Sequence, residues 1–135
     1  GIRAEKPTGE SPGFAPEGYS SSSRGRSQLR HILDAIEQIE LYAEDIEKAT
    51  FEEQRMIQDA VIRQLEIIGE ASRQLPEAFR KRHDQVPWHA IIGMRNRIAH
   101  EYVDIDLAVV WEVVQYDLPG LKSDVQAILE DSALE

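Results

Sequence analysis

Apolar residues recur at three- and four-residue steps along most of the chain beyond position 26. Leu29, Ile32, Leu33, Ile36, Ile39, Ala43 and Ile46 fall on one face of a helix starting near Ser27, and Asp34, Glu37, Glu40, Glu44 and Glu47 fill its outer side. Thr50-Phe51-Glu52-Glu53 reads as a capping box that opens a second helix, with Ile57, Val61, Leu65 and Ile68 as its stripe. Ala60, Ile67 and Ala71 broaden that stripe, as expected of a helix touching more than one neighbour. Pro76 ends or kinks it near Gln74, because proline restricts the residue before it and has no amide to donate.

Residues 76–86 predict a short helical turn and a linker. Pro87 suits the first position of a third helix running through Trp88, Ile91, Ile92 and Ile98. Asp104 and Asp106 offer N-caps for a fourth, whose stripe is Leu107, Val110, Trp111, Val114, Leu118, Leu121, Val125 and Ile128. The stripe keeps its phase across Pro119-Gly120, which predicts a kink or two nearly collinear helices. The pattern is all-α: an up-and-down four-helix bundle with a short extra helical turn and a kinked C-terminal helix. No strand and no internal repeat is apparent.

Composition narrows the chemistry. The 135 residues suffice for one hydrophobic core and not two, and 7% aromatic content suits an aliphatic bundle. Residues 1–23, rich in Gly, Pro and Ser, read as a flexible leader of processed or artificial origin. With no cysteine, disulfides, thiolate metal sites and cysteine nucleophiles are excluded. No apolar run approaches the ~20 residues that span a bilayer, and no secretory signal stands at the start, so a soluble cytoplasmic protein is expected.

Charge changes the picture further. The net charge of −10 is uneven: residues 1–26 sum to +1, 27–72 to −7, 73–100 to +4 and 101–135 to −8. A local basic segment on an acidic body can hold a phosphate ligand while the remainder limits non-specific binding. Residues 80–82 within it read as a solvated turn.

The same segment holds Met94-Arg95-Asn96-Arg97-Ile98-Ala99-His100-Glu101-Tyr102. Arg95 carries a fixed fork of donors suited to phosphate oxygens, and the His100 imidazole can accept or give a proton near neutrality. RNA brings its own nucleophile, the 2′-hydroxyl, so a base, an acid and charge stabilisation suffice for cleavage without a metal. Asn96 lies four residues before His100 and could orient the ring or a phosphate. On a regular helix Arg95 and His100 stand about 140° apart. They converge only if the helix loosens near His100, or if two chains bring their copies to one cleft; the second is favoured. Spacing alone also accommodates surface residues or a cation pair at a helix C-terminus. His31, His83 and His89 lack a helix-spaced set for metal ligation and read as structural or exposed. Trp88 and Trp111 read as core.

The Arg95…His100…Tyr102 pattern resembles that of HepT-like toxins of the HEPN nuclease superfamily. The resemblance extends to Leu65-Glu66-Ile67-Ile68-Gly69-Glu70-Ala71, Pro87-Trp88, Ile91-Ile92-Gly93-Met94, Val110-Trp111-Glu112 and Asp117-Leu118-Pro119, over roughly residues 27–131. It implies a HEPN-like helical domain over 24–135 and a homodimer, or a higher oligomer with its antitoxin, whose two motifs line one cleft. It also implies metal-independent, cofactor-free cleavage of tRNA or mRNA. Arg95 and His100 would then be the catalytic pair, Asn96 and Arg97 supporting or RNA-binding residues. Tyr102 would be the side chain to which a minimal nucleotidyltransferase antitoxin adds AMP. Two other classes of function fit the same residues: a non-catalytic nucleotide- or RNA-binding partner of a nucleotidyltransferase, and an acidic assembly adaptor with Arg95 and His100 in salt bridges.

Overall fold

The computed structural model describes residues 21–100 and 104–132. The first helix, α1 (Ser21–Ala43), starts six residues before the position its apolar stripe suggests. At its N-terminal end Gly25 passes so close to Phe79 that a Cβ there would lie 2.8 Å from the ring. This contact with the turn that follows Pro76 extends the packed face beyond Leu29. Along α1, Leu29, Ile32, Ala35, Ile36 and Ile39 are buried and Leu33 and Ala43 pack at the edge of the core, whereas Ile46, the last position of the expected stripe, packs there from the connection after the helix. Asp45 turns the chain after α1 with φ of 61°, a left-handed conformation that Asp tolerates better than most residues.

The expected capping box does not form. Helix α2 (Lys48–Glu53) begins two residues before Thr50, with Glu47 in the N-cap position and no side-chain cap. The reason is Phe51. Starting at Lys48 lets the Phe51 amide donate to the Glu47 carbonyl at 3.0 Å and turns the ring fully inward, 5.2 Å from Trp111. The chain breaks at extended Gln54 and restarts as α3 (Arg55–Gln74). Across this break, buried Gln58 donates from Nε2 to the Phe51 carbonyl at 2.9 Å. That bond reinforces the end of α2, where the Gln54 amide reaches the same carbonyl at a long 3.4 Å.

Helix α3 ends at Gln74 ahead of Pro76, as the proline requires. The turn that follows is α4 (Glu77–Arg82), which buries Phe79 and leaves Lys81 and Arg82 in solvent, Arg82 lying over the Phe79 ring. Pro87 stands one position ahead of α5 (Trp88–His100), and its carbonyl accepts the Ile91 amide at 3.1 Å. Trp88 is buried and donates from Nε1 to the His83 carbonyl at 2.9 Å.

Asp106 is the N-cap of α6 (Leu107–Glu112), its Oδ1 accepting from the Ala108 amide at 2.9 Å. The expected kink then appears as a π-helical turn, Val113–Asp117, before α7 (Leu118–Ser132). Pro119 has no N–H to return to the preceding turn, so that turn widens, and the Leu118 amide donates to the Val113 carbonyl five residues back. The extra residue keeps Val110, Val114, Leu118, Leu121, Val125 and Ile128 on the buried side.

Helix α3 packs on both α1 and α5, and α1 also packs on α7. The last pair is antiparallel: Lys122 Nζ meets Glu40 at 2.9 Å at one end, and Arg26 Nη1 donates to the Leu129 carbonyl at the other. The result is an all-α bundle, and no helix among the described residues is long and apolar enough to cross a membrane.

Candidate functional site

Arg95 sits in the second half of α5, where that helix crosses α3 at Gly69. A Cβ on Gly69 would overlap that of Arg95, come within 2.7 Å of its Cγ and lie 3.3 Å from the Ile91 carbonyl oxygen. A glycine inside a helix costs roughly 1 kcal/mol relative to alanine. Here it lets the two backbones approach closely enough to clamp the root of the arginine.

The far end of Arg95 is held by two other groups. Its Nη2 lies 3.4 Å from Glu70 Oε1, on the residue after Gly69, and its Nη1 donates to Asn96 Oδ1 at 3.2 Å. Glu70 is itself braced along α3. Arg73 donates from Nε to Oε1 at 3.2 Å and from Nη2 to Oε2 at 2.7 Å, and Gln74 Nε2 adds a bond to Oε2 at 2.9 Å. These bonds, Arg73 foremost, hold the Glu70 carboxyl down at about 2, with Gln74 and the charge of Arg95 adding to the effect. Glu70 is therefore an anion throughout the physiological range. The Arg95 side chain is 33% exposed, so part of its donor fork faces solvent.

Asn96, Arg97 and His100 are all exposed on α5. The helix is regular through His100, so it does not loosen ahead of the imidazole, and Arg95 and His100 leave it about 140° apart. Tyr102 and Glu101 lie outside the described residues. Asn96, expected to orient His100 or a phosphate, accepts from the Arg95 guanidinium through its Oδ1.

Concave surfaces lie on both sides of α5. On the α3 side a polar groove of ≈ 400 Å³ brings Arg95 together with His31, Arg63, Glu66, Glu70 and Gln74. On the other side an apolar groove of ≈ 550 Å³ runs between α5 and the α6–π–α7 segment, lined by Ile91, Met94, Val113 and Leu121, with Arg97 and Asp117 among its polar residues. The sequence pattern leaves Glu70 and His31 out of the site. The Glu70-Arg73-Gln74 spacing of three and four residues is legible as a helix-surface cluster. Its aim at Arg95 depends on a crossing between helices that no local pattern encodes. No group of three His, Asp or Glu side chains able to hold a metal ion stands among the described residues.

Comparison with known proteins places the chain. A family model described as "Ribonuclease HepT-like" matches residues 32–128. A Methanocaldococcus jannaschii protein named as a gamma-glutamylcyclotransferase and putative RNase is 43% identical over 103 residues, 76% of this chain and 46% of its own length. The chain thus spans about half of that relative. A second M. jannaschii protein, named as a putative RNase, is 39% identical over 74% of this chain and 92% of its own. A probable ribonuclease HepT of Thermococcus cleftensis is 38% identical over 76% and 94%. No solved structure matches. With a model match over most of its length and relatives covered nearly end to end, the chain belongs to the ribonuclease HepT-like family of the HEPN superfamily.

Proposed function

We propose that the protein is the ribonuclease toxin of a toxin–antitoxin pair and cleaves RNA at a cleft shared by two copies of the chain. The observation that carries this reading is the intact Arg95…His100 motif in a family of ribonucleases, with a guanidinium clamped at its root and partly open to solvent. Since the two side chains diverge on one regular helix, a twofold arrangement is the economical way to bring a guanidinium and an imidazole to one phosphate. Arg95 would bind the scissile phosphate and stabilise the charge that builds on it. One His100 would take the proton of the 2′-hydroxyl as that oxygen attacks phosphorus. Its twin would protonate the departing 5′-oxygen, leaving a cyclic phosphate and a free hydroxyl. Asn96 would steady Arg95, and Arg97 would contact the strand.

Silencing follows from Tyr102. A minimal nucleotidyltransferase partner would transfer AMP from ATP to the phenol, releasing pyrophosphate. The attached nucleotide would compete with RNA for Arg95.

The test is cleavage of total RNA and growth arrest by wild type, Arg95→Ala and His100→Ala. The expected result is loss of both activities in each variant. A wild type no more active than they are would reject the enzyme. Intact mass after co-expression with the partner should rise in steps of one adenylate, and Tyr102→Phe should abolish the increase. The divergence of Arg95 and His100 within one chain also favours a second reading, a nucleotide- or RNA-binding partner without catalysis. Binding that survives His100→Ala, with no cleavage by wild type, would select it.

A further inference from the structure

We propose that Glu70 is a positioning residue for the ribonuclease reaction, fixing the Arg95 guanidinium from the α3 side so that its open donor edge meets the scissile phosphate. The inference rests on the ribonuclease reading and deepens it. An arginine carries about 2 kcal/mol of rotamer entropy, so a partly exposed one is a poor phosphate receptor unless its path is constrained. Arg95 is constrained at three points. Gly69 clamps Cβ and Cγ, Asn96 holds Nη1, and Glu70 holds Nη2. Among the described residues, Asn96 takes one of its five N–H donors in a hydrogen bond and Glu70 faces Nη2 as an ion pair, which leaves enough of the fork for two phosphate oxygens.

The arrangement around Glu70 points the same way. Its Oε2 is occupied by Arg73 and Gln74 from its own helix, while Oε1 is shared between Arg73 Nε and the arginine of another helix. A surface ion pair within α3 would have been complete with Arg73 alone. The cross-helix contact requires the Gly69 crossing, which places Glu70 and Arg95 side by side. An anion beside a phosphate-binding guanidinium also opposes RNA binding, so the contact has an expected kinetic signature. Losing Glu70 should harm the transition state and not the ground state.

Steady-state cleavage of a short RNA by the full chain reads this out. For Glu70→Gln we expect kcat to fall about 10-fold while KM stays level or falls up to about 3-fold. Thermal melting should stay within a few degrees of wild type, since the residue lies at a partly open surface. In an Arg95→Lys background, where the fork is absent, the same substitution should change kcat by less than about 2-fold. A kcat within 2-fold of wild type for Glu70→Gln, while Arg95→Ala is inactive, would overturn the positioning role and leave the ribonuclease reading intact. Equal losses in both backgrounds, or a loss confined to a raised KM, would overturn it too. A wild type that cleaves no RNA overturns both.

Discussion

Gly69 and Arg95 meet where α3 and α5 cross, and the glycine's missing side chain is the space the arginine's Cβ occupies. The guanidinium of the motif is thus built into a helix crossing rather than displayed on a loop. Its position depends on the packing of the bundle.

Gly69→Ala tests that dependence. The added methyl has no room without parting the helices or displacing Arg95, so we expect a loss of about 1–3 kcal/mol in urea unfolding, the usual cost of overpacking. RNA cleavage should drop more than stability does. Retention of full stability, the outcome expected at an open helix glycine where alanine is the better helix former, would mean that the crossing is looser than described.

The Glu70 cluster sets a pH dependence whose sign is fixed. The carboxyl is held at about 2 when folded and lies near 4.5 without its partners. Its contribution to stability is therefore complete above about 4.5 and is lost as pH falls through about 2. Because the carboxylate is about one-third exposed and screened by water, the contribution should be on the order of 1 kcal/mol or less. Urea midpoints of wild type and Glu70→Gln should differ by a constant amount between pH 5 and 7, and converge toward pH 2. A difference that grows as the solution is acidified would contradict the arrangement.

Asp106→Ala removes the cap of α6 and should cost about 1 kcal/mol, read as a lower melting temperature. Asp106→Asn should keep most of that stability, because its amide oxygen can still accept the Ala108 amide. Hydrogen exchange at Ala108 should report the loss first. Equal melting of the alanine variant and wild type would mean that the chain ahead of α6 is held by other contacts.

The apolar stripes determined most of the fold. The 3.6-residue period of residues 27–46, 57–71 and 107–128 fixes which side of each helix is buried, since that depends only on covalent geometry and water. Pro76 and Asp106 mark their boundaries for equally local reasons, and the Arg95…His100 spacing is itself a sequence fact. Tertiary packing decided the rest. Burial of Phe51 against Trp111 displaces the helix start that Thr50 and Glu53 predict, because a large ring in the core outweighs a capping hydrogen bond. Contact with Phe79 drew α1 out to Ser21, and Pro119 widened the turn before it into a π-helix. Only the α3–α5 crossing brought Glu70 to Arg95, two residues 25 positions apart whose relation no local period contains.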